Sequence, residues 1–294
     1  MHAKIISYVR IFAELGKVRI TLFVAVSTAF GYLVKSSSLN IDIWISTIGV
    51  FLLASGSSAL NHFQERKTDA LMERTKLRPI PSGKISGEEA LIFSLILIIA
   101  GLLILLIVVN VIAFVLGLTA LFWYNSFYTP LKRKFALAVV PGSLIGAIPP
   151  VIGFAAAGGN PLDPEILAVA AFFFIWQIPH FWLLVLIYGQ EYEEAGFPSL
   201  SRIFNSAQLS RITFIWILAL SFNSVLMPLF NVAKNPISWI LLFALGIIQV
   251  IFSIGFLKDN VDKALYMKSF FYINIFVLAV VFVVSIDKLL LTEF

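Results

Sequence analysis

Apolar positions in this chain fall in long unbroken runs rather than in stripes. Residues 91–109 (LIFSLILIIAGLLILLIVV) form the clearest run. A helix crossing a bilayer needs about 20 mostly apolar residues. Runs of that kind recur and predict nine spans, at about 18–35, 43–63, 90–108, 111–128, 136–156, 165–188, 211–231, 237–257 and 269–288. A membrane β-barrel would instead show segments of about ten residues with alternating polarity, which solidly apolar runs exclude. The expected fold is all-α: a polytopic bundle in which 1–294 form a single transmembrane domain. Ahead of the first span, Ile5, Tyr8, Val9, Phe12 and Leu15 recur at helical spacing among Lys4, Arg10, Glu14 and Lys17. Residues 1–17 therefore read as an amphipathic helix lying in the membrane interface. They show no small-residue stretch of the kind that precedes signal cleavage.

Composition agrees: 60% of residues are hydrophobic, 13% are charged, and mean hydropathy is +0.97. A soluble domain is about 25% charged. With no cysteine, disulfides, thiolate-bound metals and cysteine nucleophiles are excluded. The net charge of +5 could suggest nucleic acid, but its distribution favours a membrane protein with no nucleic-acid partner. Eighteen of the 21 basic residues fall on the side of the N-terminus and only Lys35, Lys234 and Lys288 on the other. The positive-inside rule then places the N-terminus in the cytoplasm and, across nine spans, the C-terminus on the opposite side.

Several groupings could carry chemistry. Asn61, Glu65 and Asp69 stand four residues apart, so they share one helix face at the end of the second span. Oxygen ligands on one face suit Mg²⁺ shared with a substrate phosphate. Eight residues rise about 12 Å, too far for one ion, so a diphosphate with bridging ions fits better. The competing reading pairs the carboxylates with Arg66 or Arg74 at a solvated helix end. Arg74, Lys76 and Arg78 could clamp a metal-bound diphosphate. Tyr128, Lys132 and Arg133 in YTPLKRK read equally well as a stop-transfer cluster. Inside span six, WQIPHFW carries Gln177, Pro179 and His180, and intramembrane polar residues point to function. Gln177, His180, Tyr188 and Glu191 continue along one face. Gln190, Glu191, Glu193 and Glu194 form a second acidic group, a second metal site or a solvated face. Gly142, Gly146, Gly153 and Pro149–Pro150 thin the fifth span, for close helix approach or for a large flat ligand.

NHFQERKTD and YGQEYEEAG together resemble the two acidic motifs of the UbiA family of intramembrane prenyltransferases. MERTKLRPIPSG, YTPLKRK with PGSLIGAIPPVIG, WQIPHFW and EYEEAGFPSL narrow the resemblance to the members that farnesylate haem B. It implies nine helices around a central cavity, farnesyl diphosphate and haem B as substrates, and Mg²⁺ as cofactor. It implies a bacterial inner-membrane location, with a haem A synthase or terminal oxidase assembly factor as partner. Asn61, Glu65, Asp69 and Glu191 would hold metal. Together with Arg74 and Lys132 they form the implied catalytic set. Lys76, Arg78, Tyr128, Arg133, Gln177, His180 and Tyr188 would bind substrate. The chain departs from the family at Glu65 and Glu191, where Asp is usual, and at Ala195, where wider relatives keep an acid. A prenyltransferase for an aromatic acid or quinone precursor is the nearest alternative reading. A transporter is disfavoured, because the acids gather at span ends instead of mid-membrane.

Overall fold

The computed structural model describes residues 2–290 except Ala195, Phe197, Ser199 and Asn260, with side chains throughout that range except at 2–7, 190–192 and 201. Helix α1 is His2–Leu15. Nine helices among the described residues are long and apolar enough to cross a membrane. They are α2 (Val18–Ser36), α3 (Ile41–Asp69), α4 (Gly87–Val109), α5 (Val111–Leu131) and α6 (Val139–Ala156). After these come α7 (Pro164–Gly189, running on to Glu194), α8 (Ser206–Phe230), α9 (Pro236–Leu257) and α10 (Lys263–Leu290). All nine coincide with the apolar runs; the differences lie at the ends.

Those differences have local causes. Ser86 and Glu89 form a reciprocal capping box, so α4 starts at Gly87 rather than 90. Asn205 and Gln208 do the same for α8, which starts five residues before its apolar run. Asn110 breaks α4 from α5 and caps the latter by accepting from the Ala113 N–H at 2.8 Å.

Helix α1 is anchored to the bundle. Leu15 is fully buried among Ala59, Ile85 and Ala90, and the Phe12 and Phe93 rings lie 4.5 Å apart. Tyr8 and Val9 on the same helix stay exposed. The chain leaves α1 through Lys17, whose φ of +46° is left-handed. That turn aims the lysine side chain back at α3.

Small residues set the helix spacing. A Cβ placed on Gly56 or Gly101 would come within 2.8 Å and 2.6 Å of backbone nitrogens across the α3–α4 contact. The α2–α6 crossing is closer still, at Gly31 and Gly153. A second block, with Phe172, Phe276, Ile217 and Val280, joins α7, α8 and α10. At the end of the bundle remote from α1, the Lys288 ammonium donates to Glu165 Oε1 at 2.5 Å and to the Asn231 carbonyl at 3.0 Å. Neighbouring Asp287 accepts from the backbone N–H of Lys234 and Asn235, at 2.8 and 2.9 Å. This end is closed by polar contacts, and the other end is left to open.

Candidate functional site

A cavity of about 890 Å³ lies between α2, α3, α5, α6, α7 and α10. Its mouth is polar and its interior apolar and aromatic. Five basic side chains line it, Lys17, Arg19, Arg74, Arg78 and Lys132, against the two described carboxylates, Glu65 and Asp69.

Asn61, Glu65 and Asp69 all face this cavity and are 1–5% exposed. Each meets a basic side chain from a different element. Lys17 Nζ donates to Asn61 Oδ1 at 3.3 Å. Lys132 Nζ reaches both Glu65 oxygens, at 2.7 and 2.8 Å. Arg78 Nη1 donates to both Asp69 oxygens at 2.8 Å. Thr129 Oγ1 accepts from Asn61 Nδ2 at 3.2 Å. Thr75 donates to the Asp69 carbonyl at 2.8 Å and holds the following loop against the helix end. The partners are therefore not Arg66, which folds back onto the Phe63 carbonyl and ring.

In the sequence, Lys17 reads only as a cytoplasmic charge. Its position in the cavity became visible only once the α1–α2 turn folded it onto a residue 44 positions away. Burial, reinforced by the charges of Arg78 and Lys132, lowers its pKa from 10.5 to about 7; Glu65 and Asp69 oppose the shift. An arriving polyanion offsets that crowding of positive charge. Lys17→Met is expected to weaken binding of a polyanion at this mouth about tenfold while leaving the fold intact. A binding isotherm with inorganic diphosphate checks this, and unchanged affinity would remove Lys17 from the site.

The segment Trp123–Tyr128 of α5 is a π-helical turn, a form often found at functional sites. It turns Tyr124 and Tyr128 toward the cavity and lets Asn125 bind α3. Asn125 Nδ2 donates to the Ser57 carbonyl at 3.0 Å and to Gln64 Oε1 at 3.2 Å, while Ser57 Oγ donates to Asn125 Oδ1 at 2.5 Å. This network fixes Lys132, one turn on, relative to Glu65. Tyr128 packs on Gly142, where a Cβ would lie 2.5 Å from the ring.

Deeper in, Gln177 and His180 line the cavity among Phe173, Trp176 and Phe270. Gln177 Oε1 is buried over Gly146 with no hydrogen-bond partner among the described residues. His180 Nδ1 lies 3.1 Å from Asn274 Oδ1, with the Phe270 and Trp176 rings 4.7 and 5.0 Å from its own. The glycines and prolines of α6 divide between the cavity wall and the helix contacts. Gly146 and Pro149 line the cavity, and Gly153 makes the close helix contact.

Three expected substrate contacts, Lys76, Arg133 and Tyr188, are not brought to the cavity. Lys76 pairs with Glu73 at 2.5 Å on the exposed outer side of its turn. Arg133 is exposed and donates to the Gln64 carbonyl at 3.0 Å. Tyr188 does not line the cavity but lies between Arg74 and Lys263, whose charged groups sit 5.6 and 5.8 Å from its ring. The Glu191 side chain lies outside the described residues.

A family model described as the UbiA prenyltransferase family matches residues 24–275. The protoheme IX farnesyltransferase of Geobacter sulfurreducens is 38% identical over 223 residues, covering 76% of this chain and 82% of its own length. A solved structure of digeranylgeranylglyceryl phosphate synthase superposes with a TM-score of 0.78 at 18% identity, over 96% of this chain and 98% of that one. A UbiA homologue from Archaeoglobus fulgidus bound to GPP and Mg²⁺ gives 0.64 at 14% identity, over 94% and 99%. With the family model spanning most of its length, and a curated relative well above 30% identity, this chain belongs to the UbiA prenyltransferase family.

Proposed function

We propose that this chain transfers the farnesyl group of farnesyl diphosphate to a vinyl group of haem B, releasing diphosphate and forming haem O. The observation that carries this reading is the mouth of the cavity: three oxygen-bearing side chains on one face of α3, each met by a basic group, above an apolar chamber. A diphosphate head fits the first part and an isoprenoid tail the second. The farnesyltransferase relative supplies the acceptor.

The donor set fits Mg²⁺. Carboxylates facing a polyanion repel it unless a divalent cation lies between them, and hard oxygen ligands with an incoming diphosphate are what Mg²⁺ prefers. Asn61, Glu65 and Asp69 would hold it, with Glu191 as the expected second-site ligand. An ion held there would supply neutralisation of the diphosphate charge. The Archaeoglobus homologue is itself bound to GPP and Mg²⁺.

The chain's own residues do the rest. As the C–O bond of the allylic diphosphate breaks, negative charge grows on the leaving group, and Arg78, Lys132, Lys17 and Arg74, which line the cavity, would stabilise it. The apolar walls of α2, α6 and α10 keep bulk water from the allylic cation until the vinyl carbon attacks it. Water then adds to the resulting cation, and loss of one proton to the released diphosphate or to solvent gives the hydroxyethylfarnesyl group. Gln177, His180 and Tyr128 line the part of the cavity that takes the macrocycle. Lys76 and Arg133 could contact only a portion of substrate projecting beyond the mouth.

The same reading treats the chain as one catalytic domain. It sits in the bacterial inner membrane with α1 in the cytoplasmic interface and the C-terminus on the far side, as the charge bias directs. The product is as apolar as the substrate, so hand-over within the bilayer to a haem A synthase or oxidase assembly factor belongs to it.

Membranes containing the protein, given haem B, farnesyl diphosphate and Mg²⁺, are expected to form haem O detectable by mass. EDTA should abolish the product and added Mg²⁺ restore it. Prenylated hydroxybenzoate without haem O in a parallel incubation would instead establish an aromatic acceptor.

A further inference from the structure

We infer that Asn274 fixes the tautomer of His180 so that its Nε2 lone pair faces the cavity and ligates the iron of the haem substrate. This rests on haem B being the acceptor and adds how the macrocycle is held.

Asn274 Nδ2 lies 2.5 Å from the Phe270 carbonyl oxygen. A carbonyl only accepts, so the atom facing it is the amide nitrogen, and the orientation of Asn274 is set. Its oxygen therefore faces His180, 3.1 Å from Nδ1. An amide oxygen also only accepts, so Nδ1 must carry the hydrogen. Neutral imidazole has one hydrogen and one lone pair, so the lone pair is on Nε2. No hydrogen bond to Nε2 occurs among the described residues, and His180 lines the cavity. A metal-ligating histidine commonly has this arrangement: one ring nitrogen donates to a protein oxygen while the other is free for the metal.

The surroundings suit a macrocycle. Phe270 and Trp176 hold the imidazole from two sides, and Gly146 and Pro149 leave one wall without bulky side chains. His180 is eight residues, or about 12 Å of helix, deeper than Tyr188, which lies under Arg74. A haem anchored by its iron at His180 thus extends an edge toward the diphosphate. Iron ligation takes no part in forming the new bond; its role is to present one vinyl edge to the allylic carbon.

The test is titration of the full-length protein in detergent with haem B, read by visible absorption and by electron paramagnetic resonance of the ferric form. Haem O formation is followed in parallel. Wild type is expected to give a histidine-ligated spectrum that His180→Ala and His180→Gln lose. In His180→Gly, added imidazole should restore it. Retained farnesyl diphosphate binding shows that these variants are folded. Asn274→Leu should weaken haem B affinity about tenfold, in line with loss of an outer partner of a metal ligand. Asn274→Asp should keep the ligation and lower the iron reduction potential, a shift that a purely structural role for Asn274 would not produce. An unchanged spectrum in His180→Ala, with haem O still formed by wild type, would overturn the ligation alone. Absence of both haem binding and haem O in wild type would overturn the functional reading with it.

Discussion

Asp69→Asn is expected to lower haem O formation about 10³-fold with little loss of folded protein. The two chains of cause separate cleanly at this residue. Asparagine keeps the size of the side chain and one acceptor for Arg78, which now reaches both carboxylate oxygens at 2.8 Å. The lost charge-assisted contact costs about 2 kcal/mol at most, moderated because the Arg78 side chain is 22% exposed and can turn to water. The chemistry suffers far more. One preorganised electrostatic contact to a developing charge is worth about 10²–10³ in rate, and Asp69 is also one of two described carboxylates available to hold metal against the diphosphate. Arg78→Gln should fall nearly as far. Lys76→Gln should stay within about twofold, since Lys76 faces Glu73 instead of the cavity. Product mass measured at matched protein levels, with thermal unfolding alongside, decides it. A wild-type rate for Asp69→Asn would remove this carboxylate from the diphosphate site, and a large loss at Lys76 would redraw its edge.

That contrast between Arg78 and Lys76 marks where the sequence stopped being readable. Both belong to one basic cluster, two residues apart, and charge alone treats them as equals. What separates them is the turn after α3. Thr75 ties it to the Asp69 carbonyl, Arg78 is carried back over Asp69, and Lys76 is left outside. The α3 set itself was legible, because helix periodicity puts positions 61, 65 and 69 on one face whatever they touch. Its partners were not. Lys17 and Lys132 are 44 and 67 residues away along the chain, and only tertiary packing selects them over nearby Arg66. The spans were legible for the complementary reason: bilayer thickness fixes their length. Their polar ends were missed by up to six residues, as at α8 and α10, since hydropathy registers composition and caps act through hydrogen bonds. His180 was visible as an intramembrane polar residue, but its tautomer depends on Asn274, 94 residues on.

Gly31→Ala and Gly153→Ala are each expected to destabilise the protein by about 2–4 kcal/mol, among the largest costs of any single methyl group here. The added carbon on Gly31 would lie 1.9 Å from the Pro150 carbonyl oxygen, and that on Gly153 would lie 1.8 Å from the Thr28 carbonyl oxygen. Ordinary contact at such a carbon is 3.4–4 Å. Neither obstacle is a side chain that could swing aside, so α2 and α6 must separate. Both helices also wall the cavity, through Ser27, Pro149 and Ile152. The damage therefore reaches the substrate: the folded fraction that survives should show a raised KM for the isoprenoid along with a lower melting temperature. Gly87→Ala supplies the control, because a carbon there meets nothing nearer than 3.5 Å and should leave both quantities unchanged. The two damaging positions face each other across one crossing, so their effects should not add. Once the first methyl has driven the helices apart, the second enters a gap already open, and the double variant should be less damaged than the sum of the two. Strict additivity, measured by chemical unfolding, would show that the helices do not move as units and that each glycine relieves only a local clash.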